Sequence, residues 1–212
     1  KDFGGSSAFQ NLVAAAAFSG GAATAAPVFT FSDARTAPIS LVLRASDGEI
    51  SSSGATEGVA AVRSGRLAMQ NTYGSELLDL PVPLAVEYWN GTSFVTNTAD
   101  SCTSLPVTSI AMGNFLGQLE ACETGPLVAG SLVMVAGKLL APGLSLRKPG
   151  VGNSGSVDLT INTGTVASGN TCVGSTSSAA QPAAIPWLGV QPSARATFGI
   201  YRSPIIYRRE NY

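Results

Sequence analysis

Apolar and polar residues alternate with a period of two in several short stretches of the chain. The pattern is clearest in 38–45, 64–71, 82–89, 157–162 and 196–200. Such alternation predicts half-buried strands, because successive side chains of a strand point to opposite faces. Glycine, proline and asparagine separate the stretches, so about nine strands are expected. The sequence therefore predicts an all-β fold, an immunoglobulin-like or related β-sandwich with long loops.

A hairpin is predicted within residues 82–96, where Asn90-Gly91 follows an alternating stretch. Asn-Gly readily supplies the positive φ values of a two-residue type I′ turn. Such a turn places Val86 opposite Val95.

A second hairpin is predicted at the end of the chain. Strands over 196–201 and 205–209 flank the dipeptide Ser203-Pro204. Alternation directs Phe198 and its neighbours on the same face inward, so we expect this hairpin to complete the sandwich.

The remaining segments complete the predicted organisation. Residues 1–26 are rich in Gly, Ala and Ser and predict a linker or an extended N-terminal arm. Residues 27–212 form the predicted β-sandwich domain, with two small β subdomains as the alternative. The apolar stretch 131–140 predicts one long strand, and the low-complexity stretch 164–183 predicts a long mobile loop.

Charge and histidine content narrow the possible functions. Charged residues make up 12% of the chain, the net charge is −1 and histidine is absent. Nucleic acid and anionic lipid are therefore not expected partners. Without histidine, a Ser-His-Asp triad and histidine-based zinc sites are excluded. The carboxylates are dispersed, so we expect no enzyme, metal or cofactor, and we interpret Asp47 and Asp100 as turn-capping residues.

Two further expectations concern the membrane and the cysteines. The most apolar stretch, 127–144, is interrupted by Gly, Pro and Lys, so membrane insertion is not expected. Cys102 and Cys122 bracket a polar loop and predict a disulfide contributing roughly 3 kcal/mol. Cys172 lies apart in a Ser/Thr/Gly-rich stretch and is interpreted as a buried or unpaired structural residue. Three reduced, buried thiols are the alternative.

Two sets of residues are candidates for binding. Four of the twelve basic residues lie near the C-terminus and could hold an acidic partner surface, namely Arg195, Arg202, Arg208 and Arg209. The alternative is a solvated edge strand whose charges oppose aggregation. Three aromatic residues could stack on sugar rings, or act as packing anchors, namely Trp89, Tyr88 and Tyr73.

A set of short phrases occurs in order along residues 38–212. They occupy 43–48, 63–67, 71–77, 82–84, 87–91, 94–95, 100–103, 196–202 and 206–212. The ordered set resembles the uncharacterised C-terminal domain of MshQ-like bacterial proteins, which are large proteins linked to MSHA-type type IV pili. The turn Ser203-Pro204 is shorter than the usual charged loop of that family, and the family has no established catalytic residues to carry over.

The resemblance implies an exported protein at the cell surface, on the pilus or outside a Gram-negative bacterium. It implies a non-catalytic structural or adhesive module that mediates pilus assembly or tip binding. The implied partners are other pilus or surface-protein subunits, an upstream lectin-like domain, and a glycan or host surface. The alternative function is a carbohydrate-binding or carbohydrate-active β-sandwich module.

Overall fold

A computed structural model gives the fold of the protein. It describes residues 13–24, 29, 31, 33–46, 49–164, 169–188 and 192–199. The chain divides into two compact units. The first comprises 1–66 and 87–95, and the second comprises 67–86 and 96–212. The predicted boundary between an arm and a domain near residue 26 stays a prediction.

The described part of the chain forms sixteen strands and three 3₁₀ helices. The strands are β1 Ile39–Leu43, β2 Gly58–Val62, β3 Gly65–Met69, β4 Thr72–Gly74, β5 Leu80–Pro81, β6 Leu84–Trp89, β7 Phe94–Thr96, β8 Ser104–Pro106, β9 Ile110–Gly117, β10 Ser131–Val135, β11 Lys138–Leu139, β12 Ser145–Leu146, β13 Gly155–Ile161, β14 Asn170–Val173, β15 Thr176–Ala179 and β16 Ser193–Phe198. The 3₁₀ helices are Ala15–Ala17, Val107–Ser109 and Pro186–Leu188.

In the first unit, β1 and β2 form an antiparallel ribbon, in which Ile39 lies opposite Val62. This confirms the strand predicted over 38–45. An ion pair between Arg44 and Glu57 connects the ends of the ribbon, with a distance of 2.7 Å from Arg44 Nε to Glu57 Oε1.

Two six-stranded sheets contain most of the strands. Sheet A has the order β3-β6-β11-β10-β8, with β7 also pairing with β6, and sheet B has the order β15-β14-β9-β13-β16-β4. The pairing of β16 with β4 is parallel, whereas β13 pairs antiparallel with both β9 and β16. A short pair, β5 with β12, lies outside both sheets.

Strands of both sheets contribute to one hydrophobic core, which lies in the second unit. Alternate residues of β6, β10, β13 and β16 face it, as the period of two predicts. Its completely buried apolar side chains are Val86, Leu105, Ile110, Met134, Leu146, Val157, Leu159, Ile161, Ala196 and Phe198. Two sheets that share a core form a sandwich-like arrangement. The predicted all-β, sandwich-like fold class is confirmed.

The prediction of a single long strand over 131–140 is wrong. Strand β10 turns back at Ala136 and Gly137, whose φ angles are 50° and 76°, and continues as β11. A side chain at Gly137 would lie 2.6 Å from the carbonyl oxygen of Asn97, so the tight turn depends on glycine there. The largely apolar composition of 131–140 favoured one continuous strand, although Gly137 and Lys138 interrupt it at the turn.

The prediction of a long mobile loop over 164–183 is also wrong for its described part. Strands β14 and β15 form an antiparallel hairpin in which Asn170 lies opposite Ala179. Ser and Thr are compatible with an edge strand, and all four residues of β15 are exposed. A low-complexity sequence rich in Ser and Thr therefore forms a strand here because it pairs with the neighbouring strand β14.

The predicted hairpin at Asn90-Gly91 is present, but its register differs. The backbone N–H of Asn90 donates to the carbonyl oxygen of Ser93, and that of Asn97 donates to Val86. Val86 is therefore paired with Asn97 and not with Val95, a shift of two residues, which keeps each side chain on the sheet face predicted for it. The Asn90 Oδ1 atom accepts hydrogen bonds from the backbone N–H groups of Thr92 and Ser93 in this turn.

The inward face predicted for the C-terminal strand is confirmed as far as Phe198, since Ala196 and Phe198 are completely buried in β16. The predicted returning strand over 205–209 lies outside the described residues.

A β-bulge interrupts β9 at the centre of sheet B. Ser156 of β13 lies opposite Leu116 and Asp158 lies opposite Gly113, so Asn114 and Phe115 together face one residue. Asn114 has a φ of 49°, in the left-handed region. Bulges of this kind redirect a side chain, and here the Asn114 amide is brought to Asp158.

Asn114→Gly is expected to leave the free energy of unfolding within about 0.5 kcal/mol of wild type, because glycine adopts positive φ at no steric cost. Asn114→Val is expected to lower it by roughly 1–2 kcal/mol, because a β-branched residue is strained at this φ. Urea denaturation of the two variants checks this. Equal free energies of unfolding for Asn114→Gly and Asn114→Val would contradict the positive φ of residue 114 in the bulge.

Candidate functional site

An ion pair lies on the outer face of sheet B, where Asp158 of β13 is directly opposite Arg195 of β16. The Arg195 Nε donates to Asp158 Oδ1 at 2.7 Å, and its Nη2 donates to Oδ2 at 3.1 Å. Asn114 Nδ2 donates to the same Oδ2 at 2.9 Å. Three donors thus hold one partly exposed carboxylate in a single orientation.

These contacts fix the charge state of the pair. The hydrogen bond from Arg195 lowers the pKa of Asp158, and the bond from Asn114 lowers it further. The same contact with Asp158 raises the pKa of Arg195. Both groups are therefore charged throughout the neutral range, and the pair has no net charge.

An open groove surrounds this pair, with a volume of about 390 Å³. It is defined here as the Asp158 groove. Its lining combines amide, hydroxyl and charged groups: Asn71, Asn114, Asp158, Thr160, Ser193, Ala194 and Arg195. Asn71 is fixed by its Oδ1, which accepts the backbone N–H of Arg195 at 2.8 Å. The polar side chains alternate with buried residues along β13 and β16, so strand periodicity directs them all outward.

Tyr73 lies on the same outer face, at the β4 edge of sheet B. The parallel register places it beside Thr197, two residues along β16 from Arg195. Its side chain is 57% exposed. Of the three predicted stacking residues, Tyr73 is therefore the one placed on the sheet that carries the Asp158 groove.

The other two predicted stacking residues, Tyr88 and Trp89, belong to the first unit and contact arginines there. The Arg63 guanidinium lies 4.5 Å from the centre of the Tyr88 ring. Trp89 meets Phe94 edge to face at 5.1 Å, and Arg35 lies 5.5 Å from its ring centre. These cation–π and aromatic contacts match the packing role that was the alternative interpretation.

The predicted disulfide between Cys102 and Cys122 is wrong. Cys122 is bonded to Cys172, with a Cα–Cα distance of 5.2 Å, whereas Cys102 is free and exposed. Pairing requires close Cα atoms, and the fold brings β14 to the loop after β9 despite a separation of 50 residues. Cys172 was interpreted as buried or unpaired: it is buried, but it is not unpaired.

Asp100 caps a turn, as predicted. Its Oδ1 accepts the backbone N–H groups of Cys102 and Thr103, and its Oδ2 accepts the Thr103 hydroxyl at 2.6 Å. Burial raises the pKa of this carboxyl, but the hydrogen bonds from Thr103 and Cys102 outweigh burial and lower it overall. The similar prediction for Asp47 lies outside the described residues.

Of the four predicted partner-binding arginines, Arg195 lies in the Asp158 groove, while Arg202, Arg208 and Arg209 lie outside the described residues. Sequence reasoning missed Asp158, Asn114, Asn71, Thr160 and Ser193. The available signal was the set of polar positions on the outer faces of two strands, but their pairing was not known.

Arg195→Gln is expected to raise the pKa of Asp158 towards the ordinary carboxyl value of about 3.9. The depressed pKa in the folded state means that this carboxylate stabilises the protein above that value, and that the contribution is lost as the pH falls through the folded-state pKa. Since the pair is largely exposed to solvent, only a small loss of stability is expected.

Carboxyl ¹³C titration by NMR checks this expectation. Arg44→Gln is the control, because Arg44 pairs with Glu57 instead, and it should leave the Asp158 midpoint unchanged. An Asp158 midpoint that is the same in wild type and Arg195→Gln would show that the ion pair does not form in solution.

The described ranges contain neither a candidate metal-binding cluster nor a candidate membrane-spanning helix. Within them, no group of three or more His, Cys, Asp or Glu residues could hold a metal ion. No helix there is long and apolar enough to cross a membrane.

The fold and the groove together define an all-β, disulfide-bonded domain with a polar depression on one sheet face. Residues 63–211 match the fourth domain of DUF6701, and the chain belongs to this domain family. No curated protein and no solved structure gave a significant match.

Proposed function

We propose that this chain is a non-catalytic structural and adhesive module of a bacterial type IV pilus-associated surface protein, mediating assembly or tip binding. The observation that carries the proposal is the Asp158–Arg195 pair in an open groove. Hydrogen bonds from Arg195 and Asn114 hold the Asp158 carboxylate in one orientation at the open face of sheet B. Such a pair is suited to recognising a partner through fixed hydrogen bonds.

The compartment in the proposal is supported by the disulfide. Cys122 and Cys172 are 7% and 2% exposed, and their bond closes a long segment of the chain. Structural disulfides persist in oxidising compartments such as the periplasm and the cell surface. Export from a Gram-negative cell is therefore part of the proposal.

The link to pili is supported by the resemblance of the ordered sequence phrases to MshQ-like proteins. Under this proposal the partners are other pilus or surface-protein subunits, or a lectin-like domain in the same protein. The C-terminal arginines Arg202, Arg208 and Arg209 are proposed to contact an acidic partner surface.

A carbohydrate-binding function is the second candidate, and the exposed Tyr73 beside a polar groove favours it. A glycoside hydrolase would require two carboxyl groups flanking the scissile bond. Asp158 is the one carboxylate among the described residues that line this groove. The groove therefore supports carbohydrate binding and not glycoside hydrolysis.

The test uses the full-length parent surface protein in its bacterium. Arg208→Ala with Arg209→Ala is expected to reduce co-purification with pilus filaments roughly tenfold, because interfacial charge pairs stabilise complexes by this order. The thermal midpoint should not change. The control is Lys138→Ala with Lys148→Ala, which removes the same charge from exposed positions.

Deletion of residues 63–211 from the parent protein is expected to abolish its role in pilus assembly or surface adhesion. Normal piliation and adhesion after this deletion would overturn the proposed function. Equal losses for the arginine and lysine pairs would show that net charge, and not a C-terminal contact, governs the association.

A further inference from the structure

We infer that the Asp158 groove is a binding site for an uncharged saccharide, held by the outer face of sheet B and by Tyr73. The inference rests on the proposed binding function and adds the location of the site and the class of ligand. Three features carry it: hydrogen-bonding groups in the groove that have no partner among the described residues, cancelled charge within the groove, and an exposed aromatic ring on the same face of the sheet.

The first feature is a set of polar groups that point into the groove and are unused within the described chain. Asn71 uses its Oδ1 and Asn114 uses its Nδ2, which leaves the Asn71 Nδ2 donor and the Asn114 Oδ1 acceptor. The hydroxyls of Thr160 and Ser193 make no hydrogen bond to any described residue. Donors, acceptors and hydroxyls in one small area match the hydroxyl groups of a sugar, each of which both donates and accepts.

The spacing of these groups follows from the strand register. Thr160 lies opposite Ser193, and Asp158 lies opposite Arg195 in the next outward-facing row. Rows on one face of a sheet are about 6.6 Å apart, since each residue rises about 3.3 Å. The two rows therefore present polar groups over an area comparable with one pyranose ring.

The second feature is charge neutrality. Asp158 and Arg195 cancel each other, and the other lining residues are uncharged. An anionic ligand would have to compete with Asp158 for Arg195, and a cationic ligand would have to compete with Arg195 for Asp158. A neutral ligand can accept from the exposed edge of Arg195 without breaking the pair.

The third feature is Tyr73, whose ring is 57% exposed at the edge of the same sheet. Aromatic rings present an apolar body with a polar tip, which suits the apolar C–H face of a sugar. The groove is open, so most of a bound sugar stays in water and the dissociation constant is expected to be on the order of 1 mM.

The experiment screens the isolated chain against immobilised neutral and anionic oligosaccharides, and measures the strongest hits by NMR titration. Binding of at least one neutral saccharide is expected, with amide shifts at residues 113–114, 158–160 and 193–195. Thr160→Val with Ser193→Ala is expected to weaken binding at least about tenfold, as loss of hydrogen bonds to a ligand does. Tyr73→Ala should weaken it and Tyr73→Phe should retain it.

The matched control is Thr176→Val with Ser178→Ala, the same changes on exposed strand β15, which is separated from β13 by β14 and β9. It should bind as wild type does. Binding of anionic glycans only, or shifts elsewhere on the chain, would overturn the inference. The inference would also be overturned if no saccharide caused amide shifts at about 10 mM, tenfold above the expected dissociation constant. In that case the filament co-purification still tests the proposed function separately.

Discussion

Phe198→Ala is expected to lower the free energy of unfolding by about 3–5 kcal/mol, the range for removing a buried aromatic side chain. Phe198 is completely buried in β16, which lies between β13 and β4. Its neighbours across the two ladders are Gly155 and Gly74. Because both cross-strand neighbours are glycines, neither adjacent strand supplies a side chain at this row that could replace the lost ring.

The measurement is a thermal melt, in which the midpoint should fall by roughly 6–20 °C for a domain of this size. Leu116→Ala is the control on the same sheet, because Leu116 is 52% exposed and should change stability little. If Phe198→Ala melted like Leu116→Ala, β16 would not be part of the cooperative core. Deletion of residues 196–212 is expected to be more severe, because it removes half of β16.

Removal of the disulfide by Cys122→Ala with Cys172→Ala is expected to lower the free energy of unfolding by about 4 kcal/mol. The chain-entropy model gives this value for a separation of 50 residues. The bond joins strand β14 to the loop that follows β9, so the unfolded chain gains conformational freedom over this segment when the bond is absent.

Urea denaturation of the oxidised protein and the double variant measures the difference. Cys102→Ala is the control, since Cys102 is free and exposed, and its effect should stay within about 0.5 kcal/mol. Peptide mapping without reduction should recover Cys122 linked to Cys172. Recovery of Cys102 in a disulfide would contradict the structure.

The sequence by itself determined the local features of this protein. Alternation predicted strands β1, β3 and β13 and the inward direction of Phe198, because a strand's faces follow directly from its period of two. Asn90-Gly91 predicted a hairpin because the turn needs positive φ within adjacent residues. Absence of histidine excluded whole classes of active site without any structure.

Local patterns failed where a partner strand decided the outcome. Strand β15 shows no alternation of apolar and polar residues, and its pairing with β14 makes it a strand. The hairpin of β10 and β11 lies within a largely apolar stretch, and Gly137-Lys138 was too weak a signal to divide that stretch into two strands.

Only the tertiary structure decided which distant residues meet. Asp158 and Arg195 face each other because β13 and β16 are neighbours in register, although 37 residues separate them. Cys122 is bonded to Cys172 and not to Cys102, which is nearer in sequence. The order of the strands, and not the spacing of the cysteines along the chain, brings the two Cα atoms close enough for a disulfide. The alternation of apolar and polar residues predicts which face of a sheet a residue occupies. The order and register of the strands determine which residue lies beside it, and both are set by the packing of the whole core.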